Sequence, residues 1–314
     1  MTLSHELDRY LSIRRSLGYD LREDERVLRR FVAFADSEGV THITTDLCLR
    51  WQGTFGSVKR QTCGGRFIMV RLFGQWLHGL DDRHEVPPRG LVPTPTRRPS
   101  PYIYSEAEIA TVINEAAKLP SIYGMRGLTY STLFGLIAVT GLRISEAVGL
   151  NTVDLNLDDG VLHIRCGKLG KQRLLPLAAS VVDRLHAYTT ERNRLLGATP
   201  VPLFVKCGGE RIGVDGAQYN FAQICQRIGL RDPQRHFRSG RGPRIHDLRH
   251  TFAARTMIEW YRSGKDPARE MIKLSTWLGH AKPDHTYWYI EAVPELLELA
   301  SARFAGVTNG KVRQ

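Results

Sequence analysis

Two histidines, an arginine and a tyrosine follow one another in the last third of the chain: His246, Arg249, His280 and Tyr289. His246 and Arg249 are three residues apart, so they share one face of a helix. The four side chains match neither a usual metal-ligand set nor the pattern around a serine nucleophile. A guanidinium, two imidazoles and a phenol suit a site that binds a phosphodiester and attacks it with the phenol.

Two tyrosines compete for the role of that phenol. Tyr287 and Tyr289 are two residues apart, which is about 200° around a helix, so only one can face a shared site. A tyrosine has an unperturbed pKa near 10, so a cationic cluster must favour the phenolate. The helix that ends at Gly279 leaves His280 at its C-terminal end, which favours a protonated imidazole.

A second arginine lies upstream, in Thr140-Gly141-Leu142-Arg143. Apolar residues surround Arg143 in the sequence, and an arginine in such a setting needs a partner. Two interpretations stay open at this point. Arg143 forms a structural salt bridge with Glu146 or Asp154, or it supplies the second guanidinium of the site.

Residues 151–176 change to an alternating pattern typical of strands, with turns at Asp158-Asp159-Gly160 and Gly167–Gly170. The pattern predicts a small β-hairpin or a three-stranded sheet that carries Lys168 and Lys171 at its tip. Lysines on a turn usually aid solubility, but a lysine at a hairpin tip can also reach a neighbouring active site. Leu203–Val205 is interpreted as a further short strand.

The remaining elements are helical, and proline-rich sequence divides them. Apolar periodicity predicts a bundle of four or five short helices in residues 1–86. Six of the fifteen residues in 87–101 are proline, which predicts an extended linker. Residues 102–314 then form a mixed α+β domain that opens with a Ser105–Glu108 capping box. The predicted fold class is mainly α with one small antiparallel sheet.

The charge balance favours a polyanionic partner. The chain has 44 Lys and Arg against 32 Asp and Glu, a net charge of +12, and phosphates neutralised by such residues release counterions. A solvated basic surface is the competing interpretation. The candidate DNA contacts come from the fourth helix, the linker, the hairpin tip and the arginine-rich loop before His246: Lys59, Arg60, Arg97, Arg98, Lys171, Arg241 and Arg244.

The sequence gives little support to a disulfide-rich, zinc-binding or secreted protein. The five cysteines are widely spaced and contain no Cys-x-x-Cys pair, so neither a disulfide framework nor a zinc site is indicated. The N-terminus has charges throughout and is not a signal peptide. We therefore expect a cytoplasmic protein, associated with the nucleoid when it is bound to DNA.

Together these segments resemble the tyrosine recombinases, the phage-integrase-type site-specific recombinases. Thr140–Glu146 resembles the first arginine box of the family, and Gly167–Pro176 its β-hairpin lysine segment. His246–His250 resembles the His-x-x-Arg box, and Leu278–His280 the second-histidine box. The family tyrosine lies nine residues after that histidine, which selects Tyr289. Tyr287–Leu296 also resembles recombinases of transposable elements.

The resemblance implies a core-binding, SAM-like helical domain, a catalytic domain and a 3′-phosphotyrosyl intermediate. The catalytic set would be Arg143, Lys168, His246, Arg249, His280 and Tyr289, with Lys171 competing with Lys168 as the general acid. Neither a metal nor another cofactor is implied, since the intermediate conserves the energy of the bond. The expected partners are double-stranded recombination sites and further copies of the chain or related recombinases, in a tetramer. The alternatives are a type IB topoisomerase-like relaxing enzyme and a non-catalytic DNA-binding relative.

Overall fold

The computed structural model of the chain describes residues 2–58, 60–92, 100–165, 172–232, 242–280 and 284–311. It divides into two compact units, Met1–Pro99 and Ser100–Gln314. Both are mainly helical, and the only strands in the described segments form one small sheet in the second unit. The predicted fold class is confirmed. None of the described helices is both long and apolar enough to cross a membrane.

The described residues of the first unit form a bundle of four helices around one apolar core. Its elements are α1 (Leu3–Ser16), α2 (Arg22–Ser37), α3 (Thr45–Gly53) and α4 (Arg60–His78). The α3 start follows from its sequence, because the Thr44 hydroxyl accepts a hydrogen bond from Leu47 N at 3.1 Å. Apolar periodicity in the sequence begins only at Cys63, whereas helix α4 begins three residues earlier at Arg60, because its first turn is polar.

The second unit contains nine α-helices among its described residues. They are α5 (Glu106–Ala117), α6 (Met125–Thr140), α7 (Ile144–Gly149), α8 (Ala179–Leu196), α9 (Val214–Arg227), α10 (Ile245–Arg262), α11 (Pro267–Leu278), α12 (Asp284–Ala292) and α13 (Pro294–Lys311). Short 3₁₀ turns lie at Ile122–Gly124 and Thr152–Asp154. The Ser105–Glu108 capping box forms as predicted.

The sheet contains three antiparallel strands in the order β1 (Leu155–Asn156), β2 (Val161–Ile164) and β3 (Arg173–Pro176). In the β2–β3 register, Leu162 lies opposite Leu175 and Ile164 opposite Arg173. Strand side chains alternate between faces, so Arg173 points to the same inward face as the buried Leu175. The predicted strand at Leu203–Val205 is wrong, because this buried segment forms only isolated bridges.

Helix α10 joins two apolar clusters of the second unit. Its Leu248 packs in the core formed with α5–α9 and the sheet. Its Ala253, Ala254 and Met257 pack in a second cluster with α11, α12 and α13. The tail helix α13 begins on this domain, where Leu296 is fully buried. Consequently the residues at the start of α10 lie where the two clusters meet.

Candidate active site

Two helix ends face the start of α10, and each ends in a left-handed glycine. Gly141 follows α6 with φ 65°, and Gly279 follows α11 with φ 64°. After α11, His280 N donates to Ser275 O and Gly279 N donates to Thr276 O, both at 3.0 Å. The last carbonyls of a helix lack helical donors and carry the negative end of its dipole. These two ends can therefore hold cations.

Arg249 bridges the two helix ends. It donates from Nη1 to Gly141 O at 2.6 Å and from Nη2 to Leu278 O at 2.7 Å. Its side chain is almost completely enclosed, with 1% of its surface exposed. Burial, and after it the charge of Arg143, lower the pKa of the Arg249 guanidinium to about 10. The Arg249 guanidinium stays charged at neutral pH. An anion bound beside it would offset its repulsion from Arg143.

Arg143 lies directly before α7 and is the more accessible of the two predicted arginines. It donates from Nη2 to Gly279 O at 3.0 Å and from Nη1 to Glu146 Oε1 at 2.8 Å. The sequence left open a salt bridge with Glu146 or Asp154, and Glu146 is the partner. Asp154 instead binds Arg165 and the backbone N–H of Asn151. The salt bridge orients Arg143 toward the α11 end, so the two interpretations of this residue are compatible.

A third arginine, Arg173 on β3, completes the cluster and was missed by the sequence interpretation. It donates from Nε to Trp277 O at 2.7 Å. Its Nη1 and Nη2 donate to the two carboxylate oxygens of Glu146 at 3.1 and 2.9 Å. The sequence did contain a signal for Arg173, because alternation along β3 places it on the same inward face as Leu175.

Glu146 is the shared anion of this cluster. Burial by itself would raise the pKa of its carboxyl group, but hydrogen bonds and charge from Arg173 and Arg143 outweigh burial, and the pKa is lowered. The carboxylate is therefore ionised at neutral pH. Three guanidiniums, one carboxylate and four backbone carbonyls make a rigid, positively charged site.

Three histidines surround the arginine cluster. His246 and His250 lie on successive turns of α10, with ring centroids 4.6 Å apart. His246 keeps part of its surface exposed to solvent, and the partial loss of hydration, followed by the charge of Arg249, lowers its pKa. The imidazole of His280 contacts the hydroxyl of Thr286, with Nδ1 and Oγ1 2.7 Å apart. The site thus contains His246 in a neutral form at physiological pH.

The two candidate tyrosines have opposite environments. Tyr289 packs in the second apolar cluster with 2% of its surface exposed, whereas Tyr287 is 48% exposed. The hydroxyl oxygen of Tyr289 lies 2.9 Å from Nδ1 of His250. Tyr289 is also near enough to Arg249 that a phenolate there would raise the pKa of that guanidinium. The structure therefore brings Tyr289 into the arginine cluster and turns Tyr287 outward.

The remaining predicted residues are the candidate DNA contacts and Lys168. Arg60 is exposed at the first position of α4. Arg244 donates from Nη2 to the buried Asp247 at 2.9 Å, so this candidate DNA contact also stabilises the start of α10. The other candidates lie outside the described residues: Lys59, Arg97, Arg98, Lys168, Lys171 and Arg241.

One group in the first unit has metal-ligand composition, namely His42, Asp81 and His84. Ile43 N donates to Nδ1 of His84 at 3.0 Å, so the neutral ring carries its proton on Nε2, the nitrogen that would have to bind a metal. Asp81 is already bound by Arg83, and this lowers the pKa of the carboxyl group. The donor chemistry does not fit a metal ion.

A family model matches most of the second unit. Residues 105–295 match the model of the phage integrase family, which is more than half of the chain. The chain belongs to the phage integrase family. The resemblance found in the sequence motifs is thereby confirmed, and this integrase-family protein is a tyrosine site-specific recombinase.

Individual relatives and solved structures agree. "Putative integrase/recombinase y4rB" of Sinorhizobium fredii is 37% identical over 307 residues, 96% of each chain. Tyrosine recombinase XerC of Pelobacter propionicus is 29% identical over 90% of this chain and 86% of its own. The Tn1549 transposon integrase in complex with transposon right end DNA superposes with a TM-score of 0.67 at 14% identity, covering 98% of this chain and 100% of that one.

A lambda integrase tetramer bound to a Holliday junction shares the fold as well. It has a TM-score of 0.59 at 17% identity, and the match covers 90% of this chain and 78% of that one. At such identity the likeness concerns the fold alone. The roles of the individual residues in this integrase-family chain follow from the geometry of its own site.

Proposed function

We propose that this recombinase cleaves and rejoins DNA at specific sites with Tyr289 as the nucleophile. The observation that carries the proposal is the position of the Tyr289 hydroxyl, enclosed beside a cluster of three arginines. In the reaction, the Tyr289 hydroxyl gives its proton to His246 or His280, its oxygen bonds to phosphorus, and the bond from phosphorus to the 5′ oxygen breaks. The products are a 3′-phosphotyrosyl link and a free 5′ hydroxyl, and attack by a second 5′ hydroxyl reverses the step.

The arginines suit the charge that develops during this reaction. Negative charge accumulates on the non-bridging oxygens, and planar guanidiniums bind such oxygens better than lysines do. Arg143 and Arg249 are already oriented by the ends of α6 and α11. Their preorganisation means that little reorganisation is needed when the phosphate binds. His246 and His280 would add hydrogen bonds, and Lys168 would protonate the leaving 5′ oxygen, with Lys171 as the alternative donor.

Recognition of duplex DNA by the first unit is part of the proposal, and α4 is its best-supported surface. Helix α4 carries Arg60, Arg66 and Arg71 and has no acidic residue of its own. Among the residues that the structure describes, only Arg66 of these three has a carboxylate nearby, that of Glu23 on α2. On α2, by contrast, arginines are bound by carboxylates, such as Arg26 by Glu23 and Arg29 by Glu25. Arginines without a neighbouring carboxylate contribute more to phosphate binding.

The assembly and biological role extend the same proposal. We place this cytoplasmic enzyme on paired recombination sites as a tetramer, of identical copies or with related recombinases. The integrase names of its relatives and its fold similarity to a transposon integrase support a mobile-element role: integration, excision or transposition.

Covalent capture from cells tests the nucleophile without knowledge of the DNA site. Cells expressing the protein are lysed in detergent, and DNA that remains attached to the protein is sequenced. We expect wild type and Tyr287→Phe to retain fragments that share one sequence, and Tyr289→Phe to retain none. If Tyr289→Phe still retains DNA, the nucleophile is a different residue. Relaxation of supercoiled plasmids that lack the captured sequence would instead favour a topoisomerase-like enzyme.

A further inference from the structure

The tyrosine hydroxyl has a partner outside the predicted catalytic set. Nδ1 of His250 and the hydroxyl oxygen of Tyr289 are hydrogen-bonded at 2.9 Å, although the residues are 39 positions apart in the sequence. His250 follows Arg249 directly on α10, and its side chain is half-buried. Helix α10 therefore directs Arg249 at the carbonyls that end α6 and α11, and the next residue, His250, at the proposed nucleophile.

The His250 ring is held by aromatic neighbours. Its centroid lies 5.4 Å from that of Tyr289 and 5.5 Å from that of Trp288, with the planes steeply inclined in both pairs. On its other side it meets the ring of His246 at 4.6 Å. Because several aromatic contacts fix the ring plane, the direction of the Nδ1 lone pair is fixed as well.

We propose that His250 is a positioning residue for the nucleophile, with its Nδ1 accepting the hydrogen bond of the Tyr289 hydroxyl. The hydrogen bond would hold the tyrosine oxygen next to Arg249, where the phosphate binds. This inference rests on the proposed role of Tyr289. It assigns His250 no transfer of a proton, only the orientation of the attacking oxygen.

The charge state of His250 agrees with this role. Burial, followed by the neighbouring His246, Arg244, Arg249 and His280, lowers the pKa of His250 to about 3. The ring is neutral at neutral pH, and a neutral imidazole can accept a hydrogen bond where a protonated one cannot. The neutral ring can therefore orient Tyr289 while its side chain is still a phenol, before the hydroxyl loses its proton.

Three substitutions at His250 separate the hydrogen bond from packing. His250→Phe keeps an aromatic ring but removes the acceptor, and His250→Ala removes both. His250→Asn restores a polar atom near the position of Nδ1. Each is compared on a nicked suicide DNA that carries the captured site, with the rate of covalent adduct formation and the affinity for a half-site measured separately. Exposed His186 on α8, replaced by Ala, is the control for loss of a histidine elsewhere.

We expect His250→Phe and His250→Ala to form the adduct about 100-fold more slowly, the cost of a misplaced nucleophile. Half-site affinity should change by less than about twofold in both, because no DNA-binding group is removed. His250→Asn should form the adduct about tenfold faster than His250→Phe, since it restores the acceptor that orients the oxygen. The slow rate should persist on DNA with a bridging 5′ sulfur, because a thiolate leaves without protonation and such DNA bypasses only defects in the general acid.

Several results would overturn the inference. These are cleavage by His250→Phe at the wild-type rate, a rate for His250→Asn no faster than that of His250→Phe, and full recovery of the rate on the sulfur substrate. Covalent adducts from Tyr289→Phe would overturn the proposed nucleophile and this inference together. Loss of adducts in Tyr289→Phe with wild-type rates in all His250 variants would refute the role of His250 alone.

Discussion

Replacing Arg173 by methionine should destabilise the second unit through Glu146. The Arg173 side chain is 10% exposed and that of Glu146 2%, so the pair is enclosed. Methionine fills most of the space but removes one donor from each Glu146 carboxylate oxygen and the donor to Trp277 O. Removing one partner of a buried ion pair costs about 3–5 kcal/mol.

Glu146 keeps two other donors, Arg143 Nη1 at 2.8 Å and Arg143 N at 3.0 Å. We therefore expect a smaller loss in the free energy of unfolding than that range, about 2–3 kcal/mol. For a unit of the size of Ser100–Gln314, this corresponds to a Tm lower by about 4–12 °C. Calorimetry of the full chain measures this change in Tm, in the unfolding transition of the second unit. Arg194→Met, which removes a similar fork-to-carboxylate pair on the exposed face of α8, should change Tm very little.

The stability difference should depend on pH. The pKa of Glu146 is lowered in the folded protein, so its contribution is present above the unfolded pKa and is lost as pH falls through the folded pKa. Wild type and Arg173→Met should consequently differ most near neutral pH and converge in acid. Glu146→Gln in the Arg173→Met background should recover part of the loss, because it removes the incompletely paired charge. The reasoning would be refuted if the Tm values of wild type and Arg173→Met differed by less than about 1 °C. It would also be refuted if the difference were the same at neutral and at acidic pH.

Two further predictions concern the α11 end and the first unit. Gly279→Ala should lower stability by about 1–2 kcal/mol through its left-handed backbone and also slow cleavage, because the new Cβ would lie 2.9 Å from Nη1 of Arg173. Gly197→Ala, which has φ 66° but no atom within 4 Å, should affect stability alone, and equal cleavage by both variants would contradict the role of Gly279. Arg60→Ala should reduce the salt dependence of DNA binding by about one unit of slope, whereas Arg22→Ala should not, since Asp20 already binds Arg22 at 2.7 Å. Identical slopes in a filter-binding titration would exclude α4 as the DNA-facing helix.

The local elements could be predicted from the sequence because their signals are local. Thr44 and the Ser105–Glu108 pair begin helices where their cap chemistry indicates. Gly141 and Gly279 end α6 and α11, as glycine after the last apolar position predicts. The sequence does not decide whether the sheet has two or three strands, since a two-residue strand such as β1 has too few residues to show alternation.

The site was harder to predict because many of its contacts involve backbone atoms or distant residues. Nothing in the sequence shows that Arg249 donates to the carbonyls of Gly141 and Leu278. The Arg173–Glu146 pair spans 27 positions, and its partner cannot be chosen from alternation alone. The contact of His250 with Tyr289 depends on how α12 rotates against α10, which only the packing of the second cluster determines.

Backbone acceptors give this site an unusual tolerance to sequence change. Substitution of Trp277 or Leu278 cannot delete the oxygen to which an arginine donates, because every residue supplies the same carbonyl. Only the path of the backbone matters, and the two glycines define that path. Relatives could therefore diverge widely along α6 and α11 while the arginines keep their positions. We expect the evolutionary constraint in this region to fall on Gly141 and Gly279, which act through the path of the backbone.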